Sequence, residues 1–436
     1  MSHKKYESKP LECWQKVKEL RLNFYKSAMK AKAEGKMFHT SCGEFPRPIV
    51  AAFGDLVHIQ AEPYGASCGF NPQFAEACIE AFEARGFARD VCAYMRNHLG
   101  SLYLNKYLFG GEFPKPDFVV TGHVCDTHGK WAQLVAEHFG VPYFCLDGTV
   151  GYTDEGSVQR RVAYVVSQTH ELIDWLEGVT GRKFDEGRFM EAVNNSARCM
   201  SLWAEICNLN KAIPAPLDQK SMFTLYTIPL LMAHESRAVA FYETCRDEIK
   251  WRVENQIAAV PTERCRLFHD SQPPWNFLKI FRYLEKYGAV CIGGHYGFFL
   301  TSAWEEQEDG TLGPARTPGE MGVPMRNKDE MIQAYAEWQI RYWPIFECMT
   351  HPKMKNQQLL RMMKEWHADG MIMHLNRGCE GMAFGQMENR LALLKAGYPV
   401  VTYEGNMADP REFDEVQALD RIEAFLQSLG LQKLED

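Results

Sequence analysis

Although the chain holds fourteen cysteines, no two of them stand three residues apart, so it has no C-x-x-C pair. That absence excludes zinc ribbons, the dithiol redox motif and the tightly spaced ferredoxin signature. There is no Gly-Lys-Ser/Thr, hence no phosphate-cradling P-loop, and the chain itself is not expected to bind ATP. A long basic run is also missing. Lys and Arg number 48 against 56 Asp and Glu, a net charge of −8, which argues against nucleic acid as the main partner. The longest uncharged run, Tyr287–Trp304, contains four glycines and His295 and reads as strand, turn and helix start rather than a membrane span. The first ten residues carry charges but no apolar core, so they are not a secretory signal. Low-complexity segments and short internal repeats are absent too. A cytoplasmic protein is expected, and in a reducing cytosol a disulfide framework is not.

What is present is an ordinary globular composition, 46% apolar and 24% charged over 436 residues. At about 100–200 residues per domain this allows two to four domains. Hydrophobic periodicity and breaker residues divide the chain into an N-terminal helical segment (1–38), a first α/β domain (39–155), a helical segment (156–262) and a second α/β domain (263–436). Strands are expected at Leu56–Ala61, Asp117–Thr121, Val141–Leu146, Arg264–His269, Ala289–Ile292, Gly370–His374 and Pro399–Tyr403. Because they alternate with helices, they predict parallel sheets with right-handed crossovers. Ligands of such sheets bind at the carboxyl ends of the strands.

Three cysteines fall at helix entrances in such places. Cys92 stands two residues after Asp90, read as the cap of a helix starting at Val91. Cys125 follows the strand Asp117–Thr121, and Cys379 follows Gly370–His374 between Gly378 and Gly381. The positive end of a helix lowers a thiol pKa and favours the thiolate that ligates iron. Three such loops therefore suit a thiolate-bound iron–sulfur cluster. Cys13, Cys78, Cys199, Cys207 and Cys245 lie in helical patterns and read as small core residues. Cys145 and Cys291, inside apolar strands, read the same way. His123, His128, His295 and His374 lie near strand ends. His295 and Tyr296, after Gly293-Gly294, are the more interesting pair, because a glycine-rich turn lets backbone N–H groups approach a ligand. Glu44, before Phe45-Pro46, reads as a helix cap.

The segments Asp90–Gly100, Gly122–Asp126 and Arg377–Gly381, with the tail Tyr403–Arg411, Gln417 and Arg421–Phe425, resemble the 2-hydroxyacyl-CoA dehydratase and benzoyl-CoA reductase family from Gly43 onward. Length, helical middle and Asp409-Pro410-Arg411 look most like the larger, B-type active-site subunit of ATP-dependent benzoyl-CoA reductase. The resemblance implies two flavodoxin-like parallel-sheet domains with a [4Fe–4S] cluster between them, ligated by Cys92, Cys125 and Cys379. Cys42, Cys68, Cys145 and Cys291 stay open as extra ligands. It implies low-potential one-electron chemistry on an aromatic acyl-CoA, reduced to a cyclic diene. Partners implied are a homologous, smaller C-type subunit, an ATP-hydrolysing iron–sulfur activator and ferredoxin. A 2-hydroxyacyl-CoA dehydratase subunit and a non-catalytic electron-relay scaffold are the alternatives. In the dehydratases a carboxylate matching Glu62 is placed for proton transfer. A carboxyl between apolar and cluster surfaces would have a raised pKa and could act as an acid. Glu62 and His295 are thus the candidate catalytic residues, with a solvated loop glutamate as the plain reading of Glu62.

Overall fold

A computed structural model describes residues 4–43, 46–149, 151, 153–343 and 351–435. Its two four-stranded parallel sheets repeat one another. The first consists of β1 (Phe38–Ser41), β2 (Val57–Gln60), β3 (Phe118–His123) and β4 (Tyr143–Asp147), in the order β2-β1-β3-β4. The second consists of β5 (Cys265–Asp270), β6 (Ala289–Cys291), β9 (Gly370–Asn376) and β10 (Val400–Gly405), in the order β10-β9-β5-β6. The first sheet, read from its own first strand, has the 2-1-3-4 order of flavodoxin-like folds. The second places its first strand, β5, between β6 and β9 in the same 2-1-3-4 sense. Ligands of such sheets sit at the switch point between the first and third strands. Registers end together: Ser41 pairs with Gln60, His123 with Asp147 and Asn376 with Gly405. The loops after each strand therefore emerge at one edge. A short antiparallel hairpin, β7 (Trp304–Glu306) with β8 (Leu312–Pro314), follows the uncharged run and was not expected from sequence.

The helical middle covers both sheets. The helix Glu155–Thr180 lies on the first, where Trp175 meets Phe118 edge-on at 5.8 Å. The helix Glu186–Leu209 reaches the second, where the buried Trp203 indole donates to the Gly297 carbonyl at 2.9 Å. Cys13, Cys78, Cys199, Cys207 and Cys245 are buried, as their helical pattern predicts. Cys291 is buried in β6 and Cys145 half-buried in β4, although both are edge strands. Among the described residues, no helix is long and apolar enough to cross a membrane.

Three helices of the first half pack closely through glycine. The helix Ala61–Gly69 presents Gly65 to the backbone of Tyr94, and a Cβ on Gly100 would overlap the Cys78 carbonyl oxygen. The helix Ala93–Tyr103 is therefore held against both Ala61–Gly69 and Pro72–Glu83. Sequence periodicity misses Ala61–Gly69 because Pro63 and two glycines obscure it, although Pro is well placed in a first turn.

Candidate functional site

Each of the three loop cysteines is the N-cap of a helix: Cys92 before Ala93–Tyr103, Cys125 before Asp126–Phe139, Cys379 before Glu380–Ala383. The cap of the first helix is thus Cys92 itself and not Asp90, which corrects the sequence reading by two residues. The helix after Cys125 likewise starts at once, at Asp126. The Cys92 and Cys379 loops touch across the two halves, where the Ala93 amide donates to the Gly378 carbonyl at 3.2 Å. Around this seam the Arg96 guanidinium pairs with Asp409 at 2.8 Å, their side chains 1% and 0% exposed. The Asn97 amide donates to the Ala408 carbonyl at 2.9 Å, and the Trp275 indole to the Tyr94 hydroxyl at 2.5 Å. The tail motif thereby clamps the helix that Cys92 caps.

The three thiols lie within one another's electrostatic reach. Burial, with the Cys379 thiol next in weight, raises Cys92 well above an ordinary thiol. Burial raises Cys125 to about 11, and Cys379 to about 11 with the Met382 N–H pulling back. Helix N-termini do not produce free thiolates here, contrary to the expectation from sequence, because desolvation outweighs them. Helix N–H groups pull back only weakly on the other two thiols, Met95 on Cys92, and His128 and Thr127 on Cys125, none of them with the geometry of a capping bond. The Cys379 sulfur accepts from the Met382 N–H at 3.5 Å and from the Gln272 amide at 3.3 Å.

Cys42 and Cys145 neighbour each other, as do Cys68 and Cys78, apart from this trio. Among the described residues, no three His, Cys, Asp or Glu side chains close around a single ion. A four-iron cube takes each thiolate at a different corner and does not ask for that convergence. Three neighbouring loop thiols with no cation among the described residues that act on them fit such a group, which would supply the positive charge that stabilises them as thiolates.

Glu62 lies in the first turn of Ala61–Gly69, not in a loop, and its side chain is 18% exposed. Its carboxylate stands 4.0 Å from the Nε2 of His128, which belongs to the helix capped by Cys125. The charge of Glu62 is felt by all three cysteines and by Tyr94, Tyr226 and Tyr296. Carboxylate, three thiols and three tyrosines are thus gathered within electrostatic reach of Glu62. Tyr296 stood out in the sequence beside His295, whereas Tyr94 and Tyr226 did not, because only tertiary structure gathers them.

His295 is brought elsewhere. It is fully buried, its Nε2 is 3.0 Å from the Gln358 amide oxygen, and burial with the Lys355 charge lowers it to about 4. Its neighbour Tyr296 points to the site, where the Tyr226 hydroxyl donates to it at 3.3 Å. Gly293-Gly294 answer a packing need, since a Cβ on Gly294 would strike the His269 carbonyl oxygen and one on Gly293 the Phe298 ring. Of the other histidines, His374 is buried, with Nδ1 2.6 Å from the Gln272 carbonyl oxygen. His123 lies at the surface, 2.9 Å from Asp147 and 3.3 Å from Asp126. Glu44 and Cys348 lie outside the described residues. Beside the Cys125 loop, Gly122–Val124 line a cleft of about 100 Å³ walled by Leu146, Val165, Ile340 and Trp343.

A sequence model of the family described as 2-hydroxyglutaryl-CoA dehydratase, D-component, matches residues 42–429. The (R)-2-hydroxyisocaproyl-CoA dehydratase alpha subunit of Clostridioides difficile is 25% identical over 422 residues, 96% of each chain. The (R)-phenyllactyl-CoA dehydratase alpha subunit of Clostridium sporogenes is 26% identical over 97% of each. A benzoyl-CoA reductase subunit of Thauera aromatica is 23% identical over 86% of this chain and 84% of its own. With a match spanning every strand after β1 and all three cysteine loops, the chain belongs to the 2-hydroxyglutaryl-CoA dehydratase D-component family.

Proposed function

We propose that this chain is the active-site subunit of an ATP-dependent, ferredoxin-linked aryl-CoA reductase that reduces an aromatic CoA thioester, benzoyl-CoA in the simplest case, to a cyclic diene. Cys92, Cys125 and Cys379 would hold a [4Fe–4S] cluster. One observation carries the reading: three half-buried N-cap thiols from both halves lie within electrostatic reach of one carboxylate, which also acts on three buried tyrosines. When bound, the cluster supplies low-potential single-electron transfer. The chain's own residues supply the rest. Tyr94, Tyr226 and Tyr296 exclude water and offer ring faces to an aryl group. Glu62 holds the proton at its carboxyl oxygen beside His128, and His295, the sequence neighbour of Tyr296, is the second proton-handling candidate. The apolar cleft beside Gly122–Val124 offers the thioester an approach to the Cys125 loop.

Dehydration of a 2-hydroxyacyl-CoA is the second reading, favoured by the dehydratase alpha subunits that align over nearly the whole chain. Both readings call for a homologous smaller subunit and an ATP-hydrolysing iron–sulfur activator as partners. A relay scaffold that binds no substrate is the third.

The test is anaerobic iron and sulfide analysis of the purified complex, followed by assays with activator, ATP, benzoyl-CoA and 2-hydroxyacyl-CoAs. Ring reduction supports the first reading and water elimination the second. A cluster spectrum unmoved by any acyl-CoA would leave only the relay. Cys92→Ala, Cys125→Ala and Cys379→Ala should each lower bound iron, and unchanged iron in all three would sink the cluster assignment.

A further inference from the structure

The second sheet's switch point, between β5 and β9, carries a buried polar chain that ends on a sulfur. β5 ends at Asp270, and the next residue, Ser271, is held at φ +72°, a left-handed conformation rare for a residue with a side chain. This bend delivers Gln272, 2% exposed, to the loop after β9. The orientation of its amide is fixed. The Gln272 Oε1 accepts from Asn376 Nδ2 at 2.9 Å and from the Ser271 hydroxyl at 3.0 Å. Asn376 is itself oriented, because its Oδ1 accepts the backbone N–H groups of Gly378 at 3.0 Å and Met407 at 3.1 Å. With both acceptors committed, the Gln272 NH₂ is the end left to face the Cys379 sulfur, 3.3 Å away. The direction therefore runs from backbone N–H to Asn376, to Gln272, to Cys379.

Among the described residues the other two cysteines have no such side-chain amide: the groups that pull on their thiols are the Met95 N–H for Cys92, and the His128 and Thr127 N–H groups with the Thr127 hydroxyl for Cys125. Gln272 follows the first strand of its half as Gly43 follows β1, and Cys379 follows the third as Cys125 follows β3. Gly43 has no side chain to donate. The two equivalent places in the fold thus treat their cysteines differently.

We propose that Gln272 is a positioning residue that sets the reduction potential of the cluster by donating an N–H···S hydrogen bond to the Cys379 ligand. This rests on the cluster reading above. Adding an electron makes a cluster and its thiolates more negative, so a donor aimed at a ligand sulfur favours the reduced form and raises the potential. Asn376 and the left-handed Ser271 hold the donor in place.

The experiment uses the anaerobically purified holo-complex, with redox titration followed by electron paramagnetic resonance and parallel iron analysis. Gln272→Leu removes the donor at similar size. Gln272→Glu keeps an acceptor for Asn376 but turns an oxygen toward the sulfur. Both variants should retain wild-type iron, with midpoints more negative than wild type and Gln272→Glu the more displaced. A variant that served only to fill the core would leave the midpoint where it was. Unchanged midpoints in both overturn the proposal. Loss of iron from both overturns it as well, because Gln272 would then serve assembly of the site and not its potential. Absence of iron from the wild-type complex is the separate result that removes the cluster reading itself.

Discussion

Glu62 shows how tertiary structure gathers partners around one side chain. It sits where β2 turns into a helix, facing His128 across 4.0 Å, among three thiols and three tyrosines. Glu62→Gln preserves shape and should keep fold and iron. Loss of general acid–base catalysis is worth about 10²–10⁴-fold, so turnover should fall by that order. Steady-state rates of the reconstituted complex check this, and a change near twofold would remove Glu62 from the chemistry. The residue was legible from its place just past a strand and from the family resemblance. Its helix was not, because Pro63, Gly65 and Gly69 erase the usual pattern. Gln272 carried no sequence signal at all. Its meaning depends on a left-handed Ser271 and on an asparagine 104 residues away, which no local pattern encodes.

At the level of elements, a helix cap is a means of aiming a side chain. A cap residue has non-helical backbone and its side chain stands at the mouth of the helix, so three caps place three sulfurs at three helix mouths, two of them just past β3 and β9. The helix Ala93–Tyr103 must then be held firmly, and the Arg96–Asp409 pair holds it. Removing one partner of a buried ion pair costs about 3–5 kcal/mol. Arg411 still pairs with Asp409 at 2.8 Å, so Arg96→Met should cost about 3 kcal/mol, the lower end of that range, read by urea denaturation at pH 7. Acid offers a second test. Burial by itself raises Asp409, but the Arg411 hydrogen bond and the Arg96 charge together hold it below the usual carboxylate value. A depressed folded pKa gives stability that is present above about pH 4 and lost as pH falls through the lower folded value. Asp409→Asn should therefore be less stable than wild type at pH 7, and the difference should shrink below about pH 4. A difference that holds constant to about pH 2 would show that the charge of Asp409 contributes nothing. The alternation of strands and helices made these elements visible in sequence to within a few residues. The cap of the Cys92 helix was misplaced because Asp90 is the commoner capping type, while tertiary packing selects Cys92.

For the whole molecule, the repeated 2-1-3-4 sheets turn their carboxyl edges toward one seam, and the seam is made largely of loops and caps. Sequence exposed the two α/β halves. It did not expose how they are joined, since the Ala93–Gly378, Arg96–Asp409 and Trp275–Tyr94 contacts each link residues more than 180 positions apart. If Cys92 and Cys125 from one half and Cys379 from the other ligate one cluster, the cluster is a cross-link between halves. A group that binds only the folded form stabilises the elements it touches, and its removal lowers their local stability first. Anaerobic chelation should then speed amide hydrogen exchange in Ala93–Tyr103, in 377–383 and in 405–411, while β3, β5 and β9 exchange as slowly as before. Exchange read by mass spectrometry on the holo and chelated forms would decide it. Uniform acceleration throughout the chain would mean that the cluster supports the fold globally, and no acceleration at the seam would mean that its ligands do not span the two halves. Faster exchange confined to the Cys92 and Cys125 loops would assign the cluster to the first half alone and leave Cys379 as a buried thiol beside it.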